Sequence, residues 1–407
     1  MFGKMNKNVQ LIEQRINMYE RKQVNILLGR MQEPRQFIQI IIGPRQVGKS
    51  TALSQALRKQ ALPFVFARAD AAQPASRAWL RAQWAEARSL ITNNNSSAIL
   101  VIDEVQKIYQ WSEEIKALWD EDSFDGIDLR VFLCGSSSLL LSKGMNESLM
   151  GRFELIKMTH WNYSECAEAF GLSLNEYLLF GGYPGALGLR NDPARWVSYM
   201  NDSIIGSTIS NDILMTESVA KPALLQALFK LGTAYSGREI SYRKLMGQLD
   251  DVGNATTIAH YLDLLGKARM LAAIPKYGDK EITVRNSTPR LMVYDTSLIT
   301  ASTITGRGDL VQDHSKRGHM IESAVGAYLL GKESLGELNV FWWRENNSET
   351  DFVVRKNGAT IAVEVKSGAN TNIAGTADFL KKHPKAERIV VGPKDDSIER
   401  FLREEII

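Results

Sequence analysis

The chain has 407 residues, of which 44% are hydrophobic and 23% charged, with a formal net charge of +3. That length exceeds one ordinary core and predicts two to four domains, in a composition ordinary for a soluble globular protein. The small net charge excludes a whole-molecule basic field, so any nucleic-acid surface must be local.

From the N-terminus, MFGKMNKNVQ lacks the apolar run of a secretory signal, and no stretch approaches the roughly 20 apolar residues of a membrane span. Two cysteines, Cys134 and Cys166, without CxxC spacing exclude a disulfide framework and point to a reducing cytoplasm. Residues 8–31 read as an amphipathic helical lead-in, carrying Val9, Ile12 and Ile16, then Val24, Leu27 and Leu28. Four strands follow, at 37–42, 63–67, 98–103 and 130–135, each apolar on both faces and alternating with helices. That pattern predicts a parallel sheet covered on both sides. Alternation stops near Met158, and residues 161–230 are almost wholly helical in character, broken by FGGYPGALG.

Residues 222–300 then read as helix, helix, turn, helix, hairpin, the order of a winged helix-turn-helix, with the hairpin signalled at Gly278-Asp279. The last hundred residues form a second α/β unit, a helix at 318–330 followed by strands at 339–344, 351–355, 359–366 and 388–392. No internal repeat or low-complexity linker interrupts the chain. The domain boundaries predicted are 1–160, 161–220, 221–300 and 301–407.

GPRQVGKST (43–51) fits G-x-x-x-x-G-K-[ST] after a buried strand and before a helix. Gly43 and Gly48 let the backbone turn its N–H groups inward, so Gly43, Pro44, Arg45, Gln46, Val47, Gly48, Lys49, Ser50 and Thr51 form the predicted nucleotide-binding loop. Lys49 reaches the β- and γ-oxygens, and the Ser50 hydroxyl ligates Mg²⁺. About fifty residues on, SAILVIDEVQ runs a buried strand into Asp103-Glu104. Burying two carboxylates without compensation is costly, which argues for a use. Asp103 is expected to hold Mg²⁺ through water and Glu104 to polarise the attacking water. RVFLCGSSS ends a further strand in hydroxyls, where Ser136, or its neighbour Ser137, would sense the γ-phosphate. Arg152, in LMGRFELIKM, is a candidate arginine finger toward a neighbouring subunit's ATP; a surface salt bridge is the alternative.

In IAVEVKSG, strand alternation puts Glu364 and Lys366 on the face opposite Ile361, Val363 and Val365. Asp351 lies thirteen positions before Glu364, and Glu322 sits on the preceding helix. Asp351, Glu364 and the Val365 carbonyl offer the hard oxygens that Mg²⁺ takes, and Lys366 would orient a water or stabilise charge on a phosphate. Residues 221–285 hold ten Lys or Arg against six Asp or Glu. Arg243, Lys244, Lys267, Arg269, Lys276, Lys280 and Arg285 are candidate phosphate contacts, with Thr256, Thr257 and His260 facing a groove. Trp342, Trp343 and Arg344 would stack a base or fill the core of the last unit.

GPRQVGKST, AILVIDEVQ, LCGSSSLLL, GRF and FGGYPGAL in this order resemble the AAA+ ATPases of bacteria and archaea that continue into a C-terminal domain of unknown function with a nuclease-like core. ISYRKLMGQL, TTIAHYLDLLGKARML, RLMVYDTSL, FWWRENNSETDF and AVEVKSG agree, so the resemblance spans residues from about 35 to 395. It implies an α/β fold: a P-loop AAA+ core with a helical lid, a winged helix and a C-terminal restriction-endonuclease-like domain of the PD-(D/E)xK type. It also implies ATP with Mg²⁺, DNA as partner and a homo-oligomeric ring, a hexamer. The family usually has an apolar-Pro-Leu segment after the arginine, where this chain has THWNYSE. Three functions follow as expectations: an ATP-driven motor that remodels or translocates DNA, an ATP-gated Mg²⁺-dependent endonuclease of genome defence, or a nucleotide-dependent switch or protein-remodelling module.

Overall fold

In the computed structural model, residues 19–71, 76–135, 148–215, 217, 219–249, 254–278, 288–303, 314–366, 374–392 and 394–404 are described. The chain divides into two compact units, residues 1–158 and 159–407.

The first unit is built on helix α1 (Lys22–Gln32), strand β1 (Ile38–Ile42), α2 (Lys49–Lys59), β2 (Phe64–Arg68), α3 (Arg77–Ser89), β3 (Ala98–Asp103), α4 (Trp111–Asp125), β4 (Leu129–Cys134) and β5 (Phe153–Lys157). The five strands pair in the order β2-β3-β4-β1-β5, all parallel. The residues of β3 are buried throughout and those of β4 nearly so, which is why the sequence reads as unbroken apolar runs there. Leu100, Ile102, Val131 and Leu133 pack with Leu80, Trp84, Ile115 and Trp119 from α3 and α4. Asp122 is a buried charge in this layer: it accepts from the Trp84 indole at 2.8 Å and from Arg88 at 2.7 Å. The sequence reading placed four strands before alternation stops near Met158 and did not assign β5. Glu154 and Lys157 interrupt its apolar pattern, and it lies at the sheet edge with only Ile156 buried.

The second unit begins with α5 (Tyr163–Phe170), α6 (Leu174–Phe180), α7 (Pro184–Leu187) and α8 (Pro193–Tyr199), followed by π-helical turns at Met200–Gly206 and Thr208–Leu214. The FGGYPGALG stretch explains itself by contact. Gly181 closes α6 at φ +63°, and a Cβ there would meet Asp295 Oδ1 at 1.8 Å; one on Gly182 would meet the Trp161 carbonyl at 2.0 Å. The predicted three helices are α9 (Pro222–Ala234), α10 (Tyr242–Met246) and α11 (Ala255–Lys267), and a hairpin pairs β6 (Leu271–Ile274) with β7 (Arg290–Val293). Asp279 of the turn signal lies outside the described residues.

After α12 (Ser297–Thr303), the long α13 (His314–Leu335) buries Ile321, Val325 and Leu329. A four-stranded sheet follows, β8 (Asn339–Glu345), β9 (Ser348–Lys356), β10 (Ala359–Val365) and β11 (Glu387–Val391), with α14 (Ala374–Lys382) crossing from β10 to β11 and α15 (Asp395–Leu402) closing the chain. Its order is β11-β10-β9-β8, antiparallel except for β10–β11. Residues 275–277 continue from β6 along the outer edge of β8: the Trp342 N–H donates to the Pro275 carbonyl at 3.1 Å and the Tyr277 N–H to the Trp342 carbonyl at 2.6 Å. Tyr277, Trp343, Val353, Ala362 and Phe379 form a core beneath. Both tryptophans are therefore core residues, at 1% and 5% exposure.

Candidate functional site

The parallel sheet of the first unit places its two motifs at the same end. β1 runs into the loop 43–48, and β3, two strands away, ends at Asp103. Crevices at the carboxyl ends of open parallel sheets are where ligands bind. Gly48 caps α2 at φ +90°, and Gly43 packs so that a Cβ would lie 2.4 Å from the Met158 carbonyl. The loop backbone thus requires both glycines. Gln46 and Glu104 adopt positive φ of 56° and 57° without being glycine, a strained backbone of the kind that collects where side chains must be aimed.

Four side chains converge. The Lys49 ammonium, 6% exposed, donates to the Gly43 and Pro44 carbonyls at 2.9 and 2.5 Å. The Ser50 hydroxyl donates to Asp103 Oδ2 at 2.8 Å, and Asp103 Oδ1 accepts from the Glu104 N–H at 3.0 Å. Glu104 Oε2 accepts from the Gln106 amide at 2.6 Å. The Ser50 and Asp103 oxygens lie side by side as the hard donors Mg²⁺ takes, so these residues fit that ion. Arg21, buried just ahead of α1, donates to the Val47 carbonyl at 3.3 Å and ties the lead-in to the phosphate loop, a contact the sequence did not signal. The Cys134 thiol, at the end of the neighbouring β4, is pushed well up by burial and by the nearby Asp103 carboxylate, which marks it as a neutral packing group. Ser136 and Ser137 lie outside the described residues. Arg152 is half-buried and clamps Asp120 of its own chain through two bonds of 2.8 and 3.0 Å.

In the second unit, Glu322, Asp351, Glu364 and Lys366 are gathered from α13, β9, β10 and the residue after it. The Glu322 carboxyl is pushed up to about 7, first by burial and next by the Asp351 carboxylate. Asp351 is likewise raised, by burial and by Glu364. The residue that sequence reasoning missed is Arg290, the first residue of β7 and 2% exposed. Its Nη1 donates to Glu322 Oε1 at 3.1 Å and to the Asp351 carbonyl at 3.0 Å, lies 3.9 Å from Asp351 Oδ1, and its Nη2 pairs with Glu349. Other oxygens are committed as well. Asp351 Oδ2 accepts from the Val365 N–H at 2.7 Å, Glu364 Oε1 from Lys366 at 2.6 Å, and Glu364 Oε2 from Thr376. Mg²⁺ demands several oxygens at near-octahedral positions. This set does not fit it, because protein donors hold the oxygens and a guanidinium stands among them. Among the described residues no group of three or more His, Cys, Asp or Glu is arranged to hold a metal.

Of the residues expected to meet nucleic acid, Arg243, Lys244, Thr256 and His260 are exposed on α10 and the first turns of α11. Thr257 is instead tied to the cap, its N–H and hydroxyl both donating to Asn254 Oδ1, at 2.9 and 3.1 Å. Lys267 pairs with Asp263, Arg269 donates to the Tyr294 hydroxyl, and Lys276 lies over the Trp342 ring. Arg344 pairs with Glu239 and Glu349. Lys280 and Arg285 lie outside the described residues. No helix among the described residues is long and apolar enough to cross a membrane.

Fold and site together define a P-loop ATPase domain with an AAA+ core, followed by a three-helix-and-hairpin module and a C-terminal sheet domain. Residues 35–167 match the AAA domain family, while 171–308 and 317–406 each match a domain of unknown function, DUF8612 and DUF4143. An uncharacterized protein of Methanocaldococcus jannaschii is 25% identical over 275 residues, which is 63% of this chain; the chain spans 58% of that relative's length. A Walker-type ATPase of Pyrococcus abyssi has the same fold at a TM-score of 0.50 and 17% identity, over 70% of this chain and 96% of that one.

Proposed function

We propose that the protein hydrolyses ATP at the Lys49–Ser50–Asp103–Glu104 site and uses the cycle to remodel or translocate DNA as a homo-oligomeric ring, a hexamer, in the cytoplasm. The convergence of those four side chains at the carboxyl end of one parallel sheet carries this reading. The loop N–H groups and the α2 N-terminus favour phosphate, and Lys49 exchanges its carbonyl partners for phosphate oxygens. Ser50 and Asp103 would hold Mg²⁺, whose charge neutralises phosphate oxygens when it is bound. Glu104, on its aimed backbone, accepts a proton from water, and Ser136 contacts the terminal phosphate.

Arg152 is one bond exchange from a role in trans: release of Asp120 frees its guanidinium for a neighbour's nucleotide. Arg152→Ala is expected to remove any rise of specific hydrolysis with protein concentration. Because the Asp120 pair is exposed, the melting stability should fall by no more than about 1 kcal/mol. Unchanged concentration dependence would confine Arg152 to its surface pair.

The DNA part of the proposal rests on Arg243, Lys244, Thr256 and His260 standing exposed on adjacent helices of a winged-helix arrangement. Hydrolysis measured with and without duplex, single-stranded and branched DNA tests it, with the same samples run on a gel. Stimulation with intact DNA is expected; shortened DNA would mean a nuclease, and indifference a switch. Arg243→Glu with Lys244→Glu should weaken duplex binding at least tenfold and flatten the slope of log affinity against log salt by about 2. The helix–strand–strand–strand–helix–strand order of residues 314–391 supports a nuclease-like fold for 301–407, which we assign to gripping DNA.

A further inference from the structure

We infer that Arg290 is the resident cation of the Glu322–Asp351–Glu364 cluster, and that the cluster is an ion-pair lock joining the β6–β7 hairpin to the C-terminal sheet. It is not a divalent-metal centre. The inference stands apart from the ATPase reading, since none of its residues belongs to the first unit.

The argument begins with what a buried arginine requires. A guanidinium stays charged at any pH a protein survives and offers five donors in a fixed plane, so burial is tolerable only where acceptors meet it. Arg290 finds them in three residues on two elements: Glu322 on α13, and Glu349 and Asp351 on β9. Its backbone is fixed by the hairpin, where it pairs with Ile274 and bridges to Glu239. The side chain therefore cannot swing away without lifting β7. Glu349 is shared with Arg344, which also holds Glu239, so the ion pairs form a chain: Glu322, Arg290, Glu349, Arg344, Glu239. Each link joins the three-helix-and-hairpin module to α13 or the C-terminal sheet, or joins two strands of that sheet. Gly237, at φ +75°, leaves room for the arrangement, since a Cβ would stand 3.1 Å from Glu322 Oε1. On the far side of the cluster, Lys366 and Thr376 occupy both oxygens of Glu364. A metal entering here would have to displace a buried cation of the same chain and several donors at once.

Two measurements on the full-length chain test this. In the first, free Mn²⁺ is followed by electron paramagnetic resonance without nucleotide, for wild type, Asp351→Asn and Glu364→Gln. Identical Mn²⁺ uptake by all three is expected; loss of a bound equivalent in either variant overturns the proposal. In the second, Arg290→Met, Glu322→Gln and the double variant are melted. Breaking one side of a buried pair should lower the melting temperature on the order of 10 °C in Arg290→Met, and Glu322→Gln in the same chain should restore part of it. Additive shifts would show that no lock exists. Should Arg290→Met fail to fold, Arg290→Lys, which keeps the charge but loses the fork, completes the same cycle.

Discussion

Lys49→Ala is expected to reduce ATP hydrolysis on the order of 100- to 1,000-fold, the loss that follows when one preorganised charge-stabilising donor is removed. Lys49 is the cation buried at the head of α2, and its present partners are two loop carbonyls that phosphate oxygens would replace. Glu104→Gln should separate binding from chemistry. It keeps the shape and loses the proton acceptor, so hydrolysis falls while nucleotide affinity, read with a fluorescent ATP analogue, stays near wild type. Wild-type turnover in Lys49→Ala would remove the basis for calling this a P-loop enzyme.

The second large effect concerns stability and lies far from that site in the chain. Asp295 is fully buried between α6 and α12. It accepts from the Gly182 N–H at 2.7 Å, from the Ser297 N–H at 3.0 Å and from the Ser297 hydroxyl. Asp295→Ala leaves those donors unpaired in an apolar setting and should cost about 3–5 kcal/mol, a fall in melting temperature of roughly 10 °C. A pH signature accompanies it. Burial raises the Asp295 carboxyl from 3.8 to about 6, against the opposing pull of its three hydrogen bonds. The folded state therefore holds the proton more tightly than the unfolded chain. The stabilisation from that proton is complete below pH 3.8 and is lost as pH rises through about 6, amounting to about 3 kcal/mol over the interval. Asp295→Asn should lack this slope, so the difference between the two melting profiles isolates it. Parallel profiles would mean that Asp295 titrates as an ordinary carboxyl.

The grouping of Lys49 and Ser50 with Asp103 and Glu104 was legible because its signal is local. A nine-residue loop and a buried strand ending in two acids state both the residues and the end of the sheet where they meet. β1, β3 and β4 were legible for a related reason, since strands covered on both faces leave continuous apolar runs. β5 was not, because an edge strand needs only one buried residue, and Glu154 and Lys157 broke the pattern that marks the others. In the second unit the order of helices and strands was readable, and so was the grouping of Glu322, Asp351, Glu364 and Lys366. What the pattern D-x12-E-x-K could not convey is the group that faces it. Arg290 arrives from a hairpin strand 61 residues upstream of Asp351 in the sequence. Its only local signal is a lone arginine opening the apolar run RLMV, where burial would demand distant acids. Asp295 was invisible in the same way, since two of its three donors are backbone N–H groups that no side-chain pattern encodes.

The path of residues 275–277 along β8 has a consequence for how the molecule behaves among its copies. A sheet whose last strand ends in open water offers a row of unpaired N–H and C=O groups, onto which another extended chain can add. Here the chain itself lies against that flank through the paired backbone of Pro275, Tyr277 and Trp342. The segment thus acts as a built-in selvedge, guarding this flank of the C-terminal sheet against stray pairing, while Arg243, Lys244, Thr256 and His260 stay exposed on α10 and α11.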